Sequence, residues 1–197
     1  KRFLLVTGKG GTGKSVLAAA LAMAVASQGK TVHLVEMGRV RDIAFMRLNE
    51  LLGLETLDHI PTKITNPIAN KTSFFASRIN PSEALMEYIA LKLYSKKLTN
   101  ILLRNRVTAA FLDVVPGMAD IVCLGKIWHE LVTKDALIQP DLVILDAPAS
   151  GHALSLLHSP ENFSRLTKAG PLFSDATQMS SFFADPKQTQ ILYCTLP

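Results

Sequence analysis

The sequence predicts an α/β fold with a mainly parallel sheet flanked by helices, and three observations carry that prediction. The apolar run "FLLV" leads directly into "GKGGTGKS", residues 8–15. A stretch rich in Ala, Leu and Met follows, and then a second apolar run, "TVHLVE". Strand, glycine loop, helix and strand within about thirty residues make one βαβ unit, whose strands lie parallel.

The elements follow in order. Residues 3–7 read as a strand and 14–28 as a helix, with Gly29 as its stop before the strand that closes at Glu36. Residues 41–53 read as helical up to Gly53, and 55–78 as a polar, proline-containing connection with a short strand at "SFFAS". Asn80, Pro81 and Glu83 supply a cap, a first-turn proline and an acid, so a helix starts there and runs to about residue 98. A second helical stretch leads towards Phe111, Pro116 and Gly117 interrupt it, and 119–134 is helical again. "PDLVILDAP", 140–148, reads as a buried strand ending in Asp146; helical pieces between 153 and 185 and the strand "QILYCT" complete the order. The division is 1–54 and 136–197 as two parts of one core, with 55–135 as a connection and an all-helical insertion.

With 197 residues, 48% hydrophobic and 19% charged, the chain suits one globular domain with a sizeable core. A net charge of +5 is compatible with anionic ligands but too diffuse to argue for nucleic acid. Cys123 and Cys194 form no metal spacing, and a reducing cytoplasmic compartment is the expectation. No apolar run is long enough to span a bilayer, and "FLLVTG" lacks the length and flanks of a signal peptide. The chain starts at Lys1 and stops at "QILYCTLP", which reads as a fragment lacking a C-terminal part.

Residues 8–15 satisfy two patterns. Gly8, Gly10 and Gly13 fit G-x-G-x-x-G, and Glu36, about twenty residues on, is the acid a dinucleotide site aims at a ribose hydroxyl. Followed by Lys14 and Ser15, the same glycines fit the phosphate-binding loop G-x-x-x-x-G-K-[ST]. The second reading explains more residues. Backbone N–H groups from Gly10, Gly11, Thr12, Gly13, Lys14 and Ser15 surround a phosphate at a helix N-terminus. Lys14 reaches the β- and γ-phosphates, the Ser15 hydroxyl ligates magnesium, and Asp146 holds magnesium or its waters. The triphosphate reading, with ATP and Mg2+ as ligands, therefore stands ahead of an NAD- or FAD-dependent oxidoreductase.

At "KGGTGKS" the sequence resembles the deviant phosphate-loop ATPases, which carry an extra lysine near the start of the loop, here Lys9. "LDAPASGHALSLLHSP", 145–160, resembles the second switch of the arsenite-pump (anion-transporting) and tail-anchored-protein-targeting ATPase family, through Asp146, Pro148, Gly151, His152, Leu154, Leu156, Leu157 and Pro160. "PGMADI", 116–121, is similar to that family's Pro-Gly turn, and "ILYCTLP" to the strand before its adenine-binding elements. The resemblance implies a bacterial member, a phosphate-loop NTPase core with a helical insertion, and a nucleotide-gated homodimer in which Lys9 acts on the partner's nucleotide. It further implies that His152 couples the phosphate site to the following helix, and that the insertion meets a membrane protein or hydrophobic client.

Three departures qualify what carries over. Gly38 falls where the family places the aspartate that orients the attacking water, with Asp42 or Glu36 as substitutes. Val16 replaces a hydroxyl residue and leaves only its backbone N–H for the α-phosphate. Met118 and Ala119 stand near where arsenite-pump members carry a metalloid-binding cysteine, so arsenite or antimonite binding is not supported. Gly38 keeps a low-turnover ATP switch as the alternative to a working ATPase. Cys123, Cys194 and Trp128 read as core residues, while His33, His59, His129 and His158 show no ligand spacing. The acid-free stretch from Tyr88 to Leu112, with Lys92, Lys96, Lys97, Arg104 and Arg106, reads first as the solvated basic face of an amphipathic helix.

Overall fold

The computed structural model describes residues 1–38, 48–65, 72–92, 112, 114–166 and 169–196. Six strands form one sheet: β1 (Phe3–Gly8), β2 (Val32–Met37), β3 (Thr62–Thr65), β4 (Ser73–Ile79), β5 (Leu142–Asp146) and β6 (Thr189–Cys194), in the order β3-β4-β2-β5-β1-β6. All neighbours run parallel except β3, which lies antiparallel to β4 at one edge. The six described helices are α1 (Lys14–Ala26), α2 (Leu48–Leu51), α3 (Pro81–Lys92), α4 (Met118–Val132), α5 (Ser150–Leu166) and α6 (Pro171–Ala184).

Period-two alternation in the central strands feeds two cores. Phe3, Leu5, Val35, Val143 and Leu145 pack against α3, α4, α5 and α6 on one face. Val6, Leu34 and Ile144 pack against α1 and α2 on the other. Ala18, Ala19, Ala22 and Ala26 are the buried residues of α1, and so many small side chains let its backbone approach the sheet closely. On the first of these faces Phe3 meets Phe183 of α6 edge-on, ring centroids 5.0 Å apart.

The predicted αβ alternation is present, and the sheet is mainly parallel. The region between β2 and β5 is not all-helical, however. The expected polar connection contains β3 and all of β4 but its last residue, and β4 pairs in parallel with β2 over His33–Met37. Of the helix expected at 41–53, α2 is the part within the described residues, and the helical stretches expected between 93 and 111 lie outside them. Pro160 sits inside α5. Cys123 is fully buried and Cys194 nearly so, whereas Trp128 is only half-buried.

The start of α3 follows the sequence signal: Asn80 Oδ1 accepts from the Ser82 amide at 2.9 Å and the Glu83 amide at 3.4 Å. The Asn80 amide in turn donates to His59 Nδ1 at 3.0 Å, which leaves the proton on Nε2, 3.1 Å from Glu87 Oε1. Lys126 of α4 donates to Glu87 Oε2 at 2.7 Å. Burial by itself raises the Glu87 pKa, but the neighbouring His59 ring and the hydrogen bond and positive charge of Lys126 outweigh it and hold the carboxyl at about 2, against an ordinary 4.5. A depressed folded-state value stabilises the fold above the ordinary pKa and ceases to do so as pH falls towards 2. Denaturant unfolding at pH 5 and pH 2.5 is expected to show a smaller loss of stability on acidification in Glu87→Gln than in the unaltered chain.

Candidate functional site

The strand order creates a crevice between β1 and β5. The connection leaving β1 returns to the sheet at β2 on one side, while that leaving β5 returns at β6 on the other. Open α/β sheets bind ligands outside the carboxyl ends of their strands. Residues 8–15 leave β1 at this point, and Asp146 ends β5 there, with Val6 and Asp146 in register. Two bonds fasten the strand ends: the Ala147 amide to the Val6 carbonyl at 2.9 Å, and the Thr7 hydroxyl to the Pro148 carbonyl at 2.9 Å.

Glycine is required at both roots of the loop. Gly8 is buried with φ 149°, and a Cβ built there would lie 2.1 Å from the Cys194 carbonyl oxygen of β6. Gly13 takes the left-handed conformation, φ 81° and ψ 19°, as the chain turns into α1. Between them Lys9, Gly10 and Gly11 are exposed, and the Thr12 hydroxyl and Lys14 ammonium both donate to the Lys9 carbonyl, at 2.8 and 3.1 Å. No side chain caps α1, and no acid lies in its first turn. Its free first-turn amides therefore form a ready anion site, with Val16 exposed at its rim.

Ser15 and Lys14 lie near Asp146 across the crevice. Burial raises the Asp146 pKa, while the hydrogen bond donated by the Ser15 hydroxyl and the positive charge of Lys14 favour its ionised form. One hydroxyl and one buried carboxylate form a hard-oxygen donor pair of the kind magnesium accepts while keeping several waters, so these residues fit that ion. Among the described residues, no group of three or more His, Cys, Asp or Glu side chains forms a further metal cluster.

The other candidates are distributed differently. Asp42 lies outside the described residues. The Gly38 amide donates to the Ile79 carbonyl at 2.9 Å, and a Cβ on Gly38 would lie 3.2 Å from that same oxygen. Glu36 is in register with Asp146 on one side and Arg78 on the other. Its Oε2 accepts from Arg78 Nε at 2.9 Å and Nη2 at 2.8 Å, so the acid that a dinucleotide site would aim at ribose is engaged by arginine instead. Burial raises its pKa most, Arg78 lowers it, and the neighbouring Asp146 charge raises it further. His152 is exposed in the first turn of α5, its amide bonded to the Ala149 carbonyl.

Two polar assemblies escaped the sequence reading. Arg78 spans Glu36 and, through Nη2, Asn49 Oδ1 of α2 at 3.2 Å. His33, which showed no ligand spacing, is fully buried with Nδ1 2.7 Å from Glu130 Oε2 and Nε2 2.8 Å from the Ser77 hydroxyl. The available signal was a histidine inside an apolar parallel strand, which must find a partner. On the face opposite α1, a cavity of about 610 Å³ opens between α3, α4 and α6, its lining including Tyr88, Leu91, Lys92, Trp128, Asp175 and Met179. The Tyr88 hydroxyl and the Lys92 ammonium both donate to Asp175 there. No helix among the described residues is long and apolar enough to cross a membrane.

The comparisons with known proteins agree with this geometry. Residues 1–192 match the family described as anion-transporting ATPase. ATPase BagA of Mycobacterium tuberculosis is 32% identical over 178 residues, covering 89% of this chain and 50% of that protein. A putative arsenical pump-driving ATPase of Aquifex aeolicus is 27% identical, covering 82% of this chain and 50% of its own length. An arsenical pump-driving ATPase of Escherichia coli is 25% identical, covering 86% of this chain and 27% of its own length. The chain thus spans about half the length of the first of these relatives, or less of the last. A glycine loop at the root of β1, an aspartate closing the neighbouring strand and a match over nearly every residue lead to one assignment: the chain belongs to the anion-transporting ATPase family.

Proposed function

We propose that this chain binds Mg·ATP at residues 8–15 and hydrolyses it as part of a nucleotide-gated homodimer. The observation that carries the reading is the convergence of Lys14, Ser15 and Asp146 on one crevice beside the uncapped start of α1. Gly8, Gly10, Gly11, Thr12, Gly13, Lys14, Ser15 and Val16 cradle the phosphates through backbone amides, and Lys14 leaves the Lys9 carbonyl to reach the β- and γ-oxygens. Ser15 and Asp146, directly or through water, hold the magnesium, which when bound neutralises charge on the transferred phosphoryl group. Residues 1–54 and 136–197 form the nucleotide core, with β3 and β4 of the intervening part completing its sheet. The apolar cavity between α3, α4 and α6 supports a hydrophobic client or membrane-protein partner for the intervening part.

Steady-state ATP hydrolysis by the full-length protein, with and without magnesium, tests the reading directly. Absence of magnesium-dependent turnover, with ATP bound, would favour the second reading, a low-turnover switch, for which the missing side chain at Gly38 speaks. The dimer has its own test. Lys9→Ala is expected to bind ATP nearly as the unaltered chain does and to lose hydrolysis, and mixing it with Lys14→Ala chains restores part of the activity. Chains that stay monomeric at every concentration, with or without nucleotide, would refute a role for Lys9 across an interface.

A further inference from the structure

Hydrolysis requires a group that fixes the attacking water, and the position where such an aspartate is expected is Gly38. That position is closed to a larger residue without a shift, because a Cβ would stand 3.2 Å from the Ile79 carbonyl that already holds the Gly38 amide. We propose that Glu36 orients the attacking water through Oε1, with Arg78 as its positioning residue. The proposal rests on the ATPase reading above and deepens it.

Placement argues for Glu36 first. In a parallel sheet, residues in register point to the same face, and Glu36 is the direct neighbour of Asp146 across β2 and β5. Both therefore face the layer that holds α1, whose Ser15 lies beside Asp146. Constraint argues second. Arg78 saturates one oxygen of Glu36 with two nitrogens, and Arg78 is itself tied to Asn49 and almost buried, its side chain 11% exposed. Among the described residues, Glu36 Oε1 has no hydrogen-bond partner, and the side chain retains 15% exposure. A carboxylate fixed by one oxygen and open at the other, beside the phosphate crevice, is the arrangement that ordering a water demands.

In the reaction, the water oxygen bonds to the γ-phosphorus as the bond from that phosphorus to the β,γ-bridging oxygen breaks. ADP leaves with the electron pair of that bond. The water's proton is accepted at Glu36 Oε1 and then released to solvent, which gives ADP, inorganic phosphate and a proton.

The test uses the full-length protein and two ligands, a non-hydrolysable ATP analogue and ADP with aluminium fluoride, each with magnesium and titrated by calorimetry. Glu36→Gln is nearly isosteric and keeps an acceptor for Arg78. It is expected to bind the ATP analogue within about threefold of the unaltered protein while kcat falls about 100-fold and affinity for the fluoride complex falls in parallel. Arg78→Ala is expected to show the same split, with Arg78→Lys recovering part of it, which a purely structural loss would not do. Unchanged kcat and fluoride-complex affinity in Glu36→Gln overturn the role of Glu36. So does an equal loss of affinity for both ligands, which assigns Glu36 to binding. If Asp42→Asn produces the split and Glu36→Gln does not, the water belongs to Asp42. If the unaltered protein binds the analogue but neither hydrolyses ATP nor takes up the fluoride complex, the ATPase reading falls and Glu36 with it.

Discussion

Lys14→Ala is expected to abolish ATP turnover and to weaken Mg·ATP binding about 100-fold, near 3 kcal/mol, the scale on which truncating one partner of a desolvated charge pair is felt. Lys14 is the cation that already lies on the loop, bonded to the Lys9 carbonyl and acting on Asp146. Exchanging that carbonyl for phosphate oxygens needs only a swing of its flexible stem. Because Lys14 is half-buried on the surface of the first turn, its loss leaves the cores of α1 untouched and the fold intact. Calorimetric titration with a non-hydrolysable analogue, together with a thermal melt, separates the two effects. Unchanged affinity and hydrolysis in a folded variant would remove the basis for a triphosphate site at residues 8–15.

Gly8→Ala is expected to damage both fold and site. The added Cβ would meet the Cys194 carbonyl at 2.1 Å, against the rigid backbone of β6 rather than the end of a pliable side chain. The backbone at φ 149° is also one that alanine rarely takes. Pushing β6 from β1 and straining the loop together are expected to cost about 3 kcal/mol. The check is a lowered denaturant midpoint with an unchanged slope, and a loss of nucleotide affinity that remains under conditions where the variant is still folded. Gly10→Ala makes the contrast, since a Cβ there meets no atom within 4 Å. It should leave stability nearly unaltered.

What could be read in advance divides along physical lines. β1, α1 and β5 were legible because each joins a strong local signal to its boundary: apolar runs that end at Gly8 and Asp146, and an alanine-rich helix that starts at Lys14. The crevice between β1 and β5 was legible for the same reason, since its residues lie on the ends of those elements. β3, "TKIT", was not, because an exposed edge strand needs no apolar face, and only its pairing with β4 defines it. β4 was seen only as "SFFAS", because Arg78 sits inside what is in fact a central strand. The Arg78 side chain is accommodated there by Glu36 and Asn49, partners far away in sequence that no local pattern announces. His33 is similar: its burial makes sense only once Ser77 and Glu130 are in place.

The seat of β1 between β5 and β6 has a consequence for how the molecule is made. Phe3 pairs with Val143 on one side and Thr189 on the other, so β1 leaves the ribosome long before either of its partners. At typical synthesis rates β1 and the glycine loop wait on the order of 10 s before β5 is even available. Throughout that interval β2 has no neighbour on the β1 side, and that edge of β2 and both edges of β1 stand open to pairing with other chains. Asp146 arrives on the strand that closes the gap, so β2 and β1 are joined and the candidate crevice is formed in a single event, with β6 still to be added. A ribosome-bound chain truncated before Leu142 should therefore be both prone to association and unable to retain nucleotide.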